Sequence, residues 1–222
     1  MKKPKPVRRA SADALVRTRV AGGPRFSRES PEVRKRLIVE AAIKCLDQGG
    51  AANLTVSAIM TEASVSRGLV NHYFPSMSEL LVEAYKAMLD GLSSEAIGNM
   101  KRQSPGPAMD LRAMIDVACS PLIFEKPRNQ AWLEIWALIP GEPDLRKLHT
   151  KIYRDYQREL VGAIDRLAFE RRRKVDAARL AVSAIALVDG LWLNWSCDPR
   201  FVSAEEAKRA VYDLFEARLG PL

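Results

Sequence analysis

Between Ser66 and Tyr73 the chain sets out the run Ser66-Arg67-Gly68-Leu69-Val70-Asn71-His72-Tyr73, in which nearly every position offers a hydrogen-bond donor or allows a close approach. Arg67 can make a two-pronged contact with guanine, Leu69 can meet a thymine methyl, and Asn71 can read adenine or hold a phosphate. Gly68 leaves the near end of this short segment without bulk, and Ser66 can cap it while keeping its hydroxyl near the backbone. His72 and Tyr73 carry donors at the far end. Together these groups suit a short helix entering the major groove of a DNA duplex. A solvated face of some other three-helix unit is the competing reading.

A second set is aromatic. Trp132 and Trp136 lie four residues apart and Trp192 and Trp195 three apart, so each pair shares one helix face. Four tryptophans on two helices can wall a box for a quaternary ammonium, with Asp189 or Glu134 as the counter-charge. Phe124, Tyr85 and Tyr153 are further candidates for its walls. The competing reading is that such residues simply fill a helical core.

Catalysis finds little support. The only two histidines, His72 and His149, lie far apart, and His149 beside Lys147 and Lys151 reads as a surface residue. No Cys/His/Asp group has ligand spacing, and neither a dinucleotide fingerprint nor a phosphate-binding loop occurs, so no enzyme, metal or cofactor is expected. Cys45, Cys119 and Cys197 are odd in number and widely spaced, which reads as reduced thiols rather than a disulfide framework.

Charge is distributed unevenly over the 222 residues. Twelve basic residues against three acidic ones lie up to Arg36, a net +9, which leaves −1 for the remainder. One end is thus suited to a polyanion. The start lacks the apolar stretch of a secretory signal, and the apolar run Leu180 to Val188 reads as too short to cross a bilayer. A cytoplasmic, nucleoid-associated protein without membrane contact is the expectation.

The elements that must position these groups are helical. Residues 1–30, with Pro4, Pro6, Gly22, Gly23 and Pro24, read as a flexible basic arm. Ser30, Pro31 and Glu32 then open a helix that Gly49-Gly50 closes, about 31 to 48, with Leu37, Ile38, Ala41, Ala42, Cys45 and Leu46 on one face. Thr55 caps a short second helix, and the third runs from about Arg67 to Tyr73. A long helix starts near Ser78. Helical periodicity returns at about 109–120, 128–138, 144–171, 175–196 and 204–219, separated by breakers that include Pro107, Pro121, Pro127, Pro140-Gly141-Glu142-Pro143 and Asp198-Pro199. Sustained alternation is absent, which predicts an all-α protein: a helix-turn-helix domain at 31–75 and a helical effector-binding and dimerisation domain at 78–222.

The stretch from Leu54 to Phe74 resembles the DNA-binding segment of the TetR family of bacterial transcriptional repressors, with Ala63, Val65, Ser66, Gly68, Val70, Tyr73 and Phe74 matching its pattern. The resemblance implies DNA contacts from Thr55, Ser57, Ser66, Arg67, Gly68, Leu69, Asn71, His72 and Tyr73. Ser64 stands where the family usually has Gly, which predicts a small strain in the turn. Met77 stands where most members carry a phosphate-neutralising Lys, a charge the basic arm can supply. Ala131 to Ala137 and Ala186 to Leu193 resemble, more narrowly, the BetI-like regulators of the choline-to-betaine pathway.

The expected partners are therefore a double-stranded operator, a second copy of the chain and a small-molecule effector, either choline or a related cation or an uncharged hydrophobic compound. A helical adaptor that binds only protein is the alternative from another class. Dimerisation is expected through the last two helices, with Leu187, Leu191, Val211, Leu214 and Phe215 at the interface. Release from DNA requires the effector pocket to touch the long helix at 78–100.

Overall fold

The computed structural model describes residues 30–100, 106–120, 124 and 129–222, with side chains of 92–100 excepted. The basic arm predicted at 1–30 thus falls, apart from Ser30, outside the described residues. Among those described there are nine helices and no strand. The first three are α1 (Pro31–Asn53), α2 (Val56–Ala63) and α3 (Arg67–Tyr73). Then follow α4 (Met77–Met100), α5 (Pro107–Ala118), α6 (Asn129–Leu138), α7 (Pro143–Glu170), α8 (Ala177–Cys197) and α9 (Ala204–Leu219).

Short-range chemistry starts the helices where the sequence signals it. Ser30 Oγ accepts from the Val33 amide at 3.3 Å, Thr55 Oγ1 from Ala58 at 3.1 Å, Ser66 Oγ from Leu69 at 3.3 Å and Ser76 Oγ from Glu79 at 3.2 Å. Ser203 and Glu206 form a reciprocal capping box at the start of α9. The regular turns of α1 end at Gly49 (φ −149°, ψ 15°) and Gly50 (φ 64°, ψ −165°), and residues 51–53 add one more turn beyond that break. Pro107 and Pro143, expected as breakers, are the first residues of α5 and α7 instead. At that position proline loses no helical hydrogen bond and its fixed φ already suits the helix.

The turn between α2 and α3 sets the angle of the third helix. Ser64 adopts a left-handed conformation (φ 54°, ψ 43°). The Val65 amide donates to the Met60 carbonyl at 3.1 Å and the Ser64 amide to the Thr61 carbonyl at 3.3 Å, the paired closure of a left-handed helix end. Behind this turn Ile38, Ala42, Leu46, Ile59, Val70 and Phe74 are buried in a core that continues through Leu80, Ala84 and Tyr85 of α4 into the C-terminal helices. Lys44 to Glu62 at 2.9 Å ties α1 to α2, and Lys35 to Glu83 at 3.0 Å ties α1 to α4.

In the C-terminal part α7 packs against α5 and α8, and α9 against α8 and α5. Two expectations are corrected here. Val211 and Phe215, expected between two chains, are each 1% exposed and lie in the core of their own chain. The apolar stretch around Leu180 to Val188 continues past Asp189, so that α8 as a whole is long and apolar enough to cross a membrane, and only 22% of its apolar window is buried. The face it leaves open carries Val182, 53% exposed, and Leu193, 44% exposed.

The left-handed Ser64 yields a stability test. Exchanging its Cβ for hydrogen removes a penalty of about 1 kcal/mol in that conformation. Ser64→Gly should therefore shift the urea midpoint upward with an unchanged slope, whereas a lower midpoint would show that the turn carries no strain.

Candidate nucleic-acid interface and effector site

Helix α3 presents two sides of different character. Val70 is buried and Leu69 and Tyr73 are half-buried, while Ser66, Arg67, Gly68, Asn71 and His72 are exposed. Arg67 and Asn71, like Gly68 and His72, are four residues apart and so share the outward face. Thr55 and Ser57 are exposed at the start of α2; the Thr55 hydroxyl is engaged as a cap. His72 and Tyr73 meet edge to face with ring centres 5.1 Å apart. A Cβ added to Gly68 would find only Ser66 Oγ, at 4.0 Å. Among the described residues nothing requires glycine at this position.

The aromatic residues assemble around a histidine that sequence reading placed on the surface. His149 lies 4.2 Å from Tyr153, 6.2 Å from Tyr85 and 6.3 Å from Trp136 between ring centres, and its Nδ1 is 3.0 Å from the Tyr85 hydroxyl. Trp136 meets Trp192 at 5.0 Å and Tyr153 at 6.5 Å, and Trp132 meets Tyr85 at 5.9 Å. Trp195 packs instead against Phe124 at 6.0 Å. Five of the seven residues expected at an effector site are thus joined in one cluster: Trp132, Trp136, Trp192, Tyr85 and Asp189. His149 escaped the sequence because two of its partners, Tyr85 and Trp136, lie on remote helices and its flanking lysines suggested solvent.

Asp189 supplies the only carboxylate within that cluster among the described residues. Tyr153 donates its hydroxyl to Asp189 Oδ1 at 3.2 Å, yet burial still raises the carboxyl to about 6. Burial lowers the pKa of His149 and raises that of Tyr85 to about 12. At neutral pH the cluster therefore holds one negative charge, a neutral imidazole and aromatic faces, which together favour a cation. A cleft of about 400 Å³ opens onto it between α7 and α8, lined by His149, Tyr153, Arg154, Val182, Ala186 and Asp189, so that an exposed guanidinium as well as the carboxylate borders it. Glu134, the alternative counter-charge, is elsewhere: its carboxylate accepts from the Ala51 amide at 2.9 Å and from Gln130 at 2.8 Å.

With this geometry in place, known proteins supply its context. Residues 38–84 match the family described as bacterial regulatory proteins, tetR family, and residues 107–220 match the BetI-type transcriptional repressor C-terminal family. The chain belongs to the TetR family, BetI type. It is 31% identical over 187 residues, 84% of this chain and 88% of the relative, to the HTH-type transcriptional regulator BetI of Agrobacterium fabrum. A transcriptional regulator of known structure from Pseudomonas aeruginosa PAO1 shares 30% identity at a TM-score of 0.78, covering 87% of this chain and 94% of that one. A regulator from Saccharomonospora viridis, solved in complex with choline, is 21% identical at a TM-score of 0.70, covering 84% of this chain and 97% of that one.

Membership of this TetR-type family makes the chain a DNA-binding transcriptional regulator and not an enzyme, and the family's soluble members are cytoplasmic. The outward face of α8 is then notable. Val182, Ala186 and Leu193 are exposed there, and a Cβ on Gly190 would meet nothing within 4 Å. Leu187, Leu191 and Leu214 are half-buried, intermediate between this open face and the core.

The buried carboxylate makes stability depend on pH. The folded-state pKa of Asp189, about 6, lies above its ordinary 3.8, so its burial costs nothing below pH 4 and costs progressively more as pH rises through 6. Asp189→Asn, which keeps an acceptor for the Tyr153 hydroxyl, should be more stable than the unmodified protein at pH 8. Discounting for partial exposure, the gain is on the order of 2 kcal/mol. Urea titrations at pH 8 and pH 4 check this, and a gap of equal size at both would show that burial of charge is not its cause.

Proposed function

We propose that the chain is a dimeric, operator-binding repressor in which residues 31–75 hold DNA and residues 78–222 bind a second copy and a small cationic effector. The observation that carries the DNA reading is the outward side of α3: exposed Arg67, Asn71 and His72 flank a glycine that packing among the described residues does not need. In this reading Arg67 and Asn71 meet base edges. Thr55, Ser57, Ser66, His72 and Tyr73 hold the backbone, and Leu69 meets a thymine methyl.

Dimerisation is assigned to the open face of α8, whose Val182 and Ala186 also border the cleft beside Asp189. An exposed apolar stripe with a bare Gly190 at its centre suits close approach of a partner helix, and Leu187, Leu191 and Leu214 lie along its margin. Two-fold symmetry would set two copies of α3 about one turn of duplex apart.

The effector is assigned to the aromatic cluster. The Asp189 charge favours choline or a related quaternary ammonium over an uncharged hydrophobic compound, and the choline held by the Saccharomonospora viridis regulator supports that choice. Tyr85 belongs to α4, so the cluster touches the long helix that follows the DNA-binding unit, as release by an effector requires.

Gly68→Ala should leave the fold and its stability intact while weakening operator binding. Arg67→Ala should cost about 1 to 3 kcal/mol of operator affinity and relax specificity at one base position. Fluorescence anisotropy on a duplex selected from random DNA measures both; unchanged affinity in the two variants would refute the assignment. The unmodified protein should sediment as a dimer and Leu193→Glu as a monomer.

Calorimetry with choline should give binding heat that Asp189→Asn abolishes. Absence of heat and of any tryptophan fluorescence change at millimolar choline would remove the cation reading. Heat with an uncharged aromatic compound only would favour the hydrophobic alternative.

A further inference from the structure

Helix α6 touches both functional regions, and it does so with opposite sides. One side carries Trp132 and Trp136 into the aromatic cluster. The other carries Glu134, about 200° around the helix from each tryptophan at 100° per residue, to the end of α1.

The contact at α1 is reciprocal. The break at Gly49-Gly50 frees the Ala51 amide from the helical ladder, and Glu134 Oε2 accepts from it at 2.9 Å. In return, Asp47 in the last regular turn of α1 accepts at Oδ1 from the amide of Ala131, in the first turn of α6, at 3.3 Å. Each helix thus supplies a carboxylate to an amide that the other helix's end leaves without a ladder partner. Gly50 makes the approach possible: its φ is +64°, and a Cβ there would lie 2.8 Å from Glu134 Oε1. Gln130 donates to the same oxygen at 2.8 Å and fixes the carboxylate's rotamer.

We infer that the Glu134 and Asp47 pair is a clasp through which α6 sets the orientation of the helix-turn-helix, so that a ligand displacing Trp132 or Trp136 moves α1 directly as well as acting through α4. Glu134 is in this sense a positioning residue: it touches neither DNA nor effector. The inference rests on the reading of the aromatic cluster as the effector site, and it adds to that reading the route by which occupancy reaches α3. A hydrophobic contact alone would let α6 slide along α1. Two directional bonds between the helix ends resist such sliding.

The test is a double-mutant cycle on the full chain, read as affinity for the selected duplex without any ligand. Trp136→Leu empties part of the cluster and lets α6 shift. It should change duplex affinity at least threefold in the unmodified protein and less than 1.5-fold in Glu134→Ala, while their effects on the thermal midpoint add. Glu134→Gln keeps an acceptor for the Ala51 amide and should restore the full effect of Trp136→Leu. An equal effect of Trp136→Leu in both backgrounds, no effect in either, or a Glu134→Gln protein behaving like Glu134→Ala overturns the clasp. Choline is a separate arm: a protein whose duplex affinity ignores choline defeats the effector reading while the cycle still decides the clasp.

Discussion

A helix of seven residues has no stability of its own, because nucleation costs more than so few hydrogen bonds return. The placement of α3 is therefore imposed from behind by the buried face of α1. Ile38, Ala42 and Leu46 hold Ile59, Val70 and Phe74 in one continuous core, and that core extends through Leu80, Ala84 and Tyr85 into the rest of the chain. Everything that α3 can do to DNA depends on this packing, and so does every route by which the C-terminal helices can influence it. The ion pairs that flank α1, Lys35 with Glu83 and Lys44 with Glu62, are partly exposed and contribute on the order of 0.5 kcal/mol each. Direction comes from the apolar contacts; the ion pairs only trim it.

The three surfaces proposed for DNA, effector and partner use charge in different ways. On α3 the donors stand in water, where they lose little by being unpaired and can exchange water for phosphate or base edges. At Asp189 the carboxylate is withdrawn among aromatic rings, and its raised pKa records how poorly Tyr153 alone replaces the lost hydration. A cation with diffuse charge restores part of what burial removed, without the heavy desolvation cost of a compact ammonium. On α8 the exposed Val182, Ala186 and Leu193 beside Asp189 are apolar and costly to leave in water.

What could be read from the sequence was local. Ser30, Thr55 and Ser66 cap their helices because a cap is decided within four residues, and the strained turn at Ser64 follows from one side chain in a place that favours glycine. Pro107 and Pro143 were ambiguous for the same reason, since a proline that ends one segment can equally begin the next. Contacts between remote helices were not legible. His149 sits among Tyr85, Trp136 and Tyr153, drawn from three helices; it shares the inward stripe of α7 with Leu145, Ile152, Tyr156 and Leu160, a signal that its flanking lysines obscured. Glu134 is separated from Ala51 by 83 residues, so its role in joining α6 to α1 could not be seen beside its two tryptophans. On α9 the apolar content was visible, but which side faced the core was not, and Val211 and Phe215 turned inward.

The size of the required signal decides what kind of device can transmit it. Effectors shift the affinity of a second site by about 1 to 3 kcal/mol in typical cases. A rearrangement that opened the core around Leu46 or Ile135 would leave cavities costing about 2 to 5 kcal/mol per emptied leucine-sized space, more than the effect to be delivered. Changing the geometry of hydrogen bonds with ionised acceptors, each worth about 1.5 to 3 kcal/mol when well made and less at the surface, matches the signal without breaching the core. The joint between α1 and α6 has that composition: packed apolar residues that keep the two helices together, and at their ends two carboxylates whose bonds are sensitive to a shift of a few tenths of an ångström. The core supplies permanence and the polar ends supply sensitivity, so that the DNA-binding unit stays folded whichever orientation the effector favours.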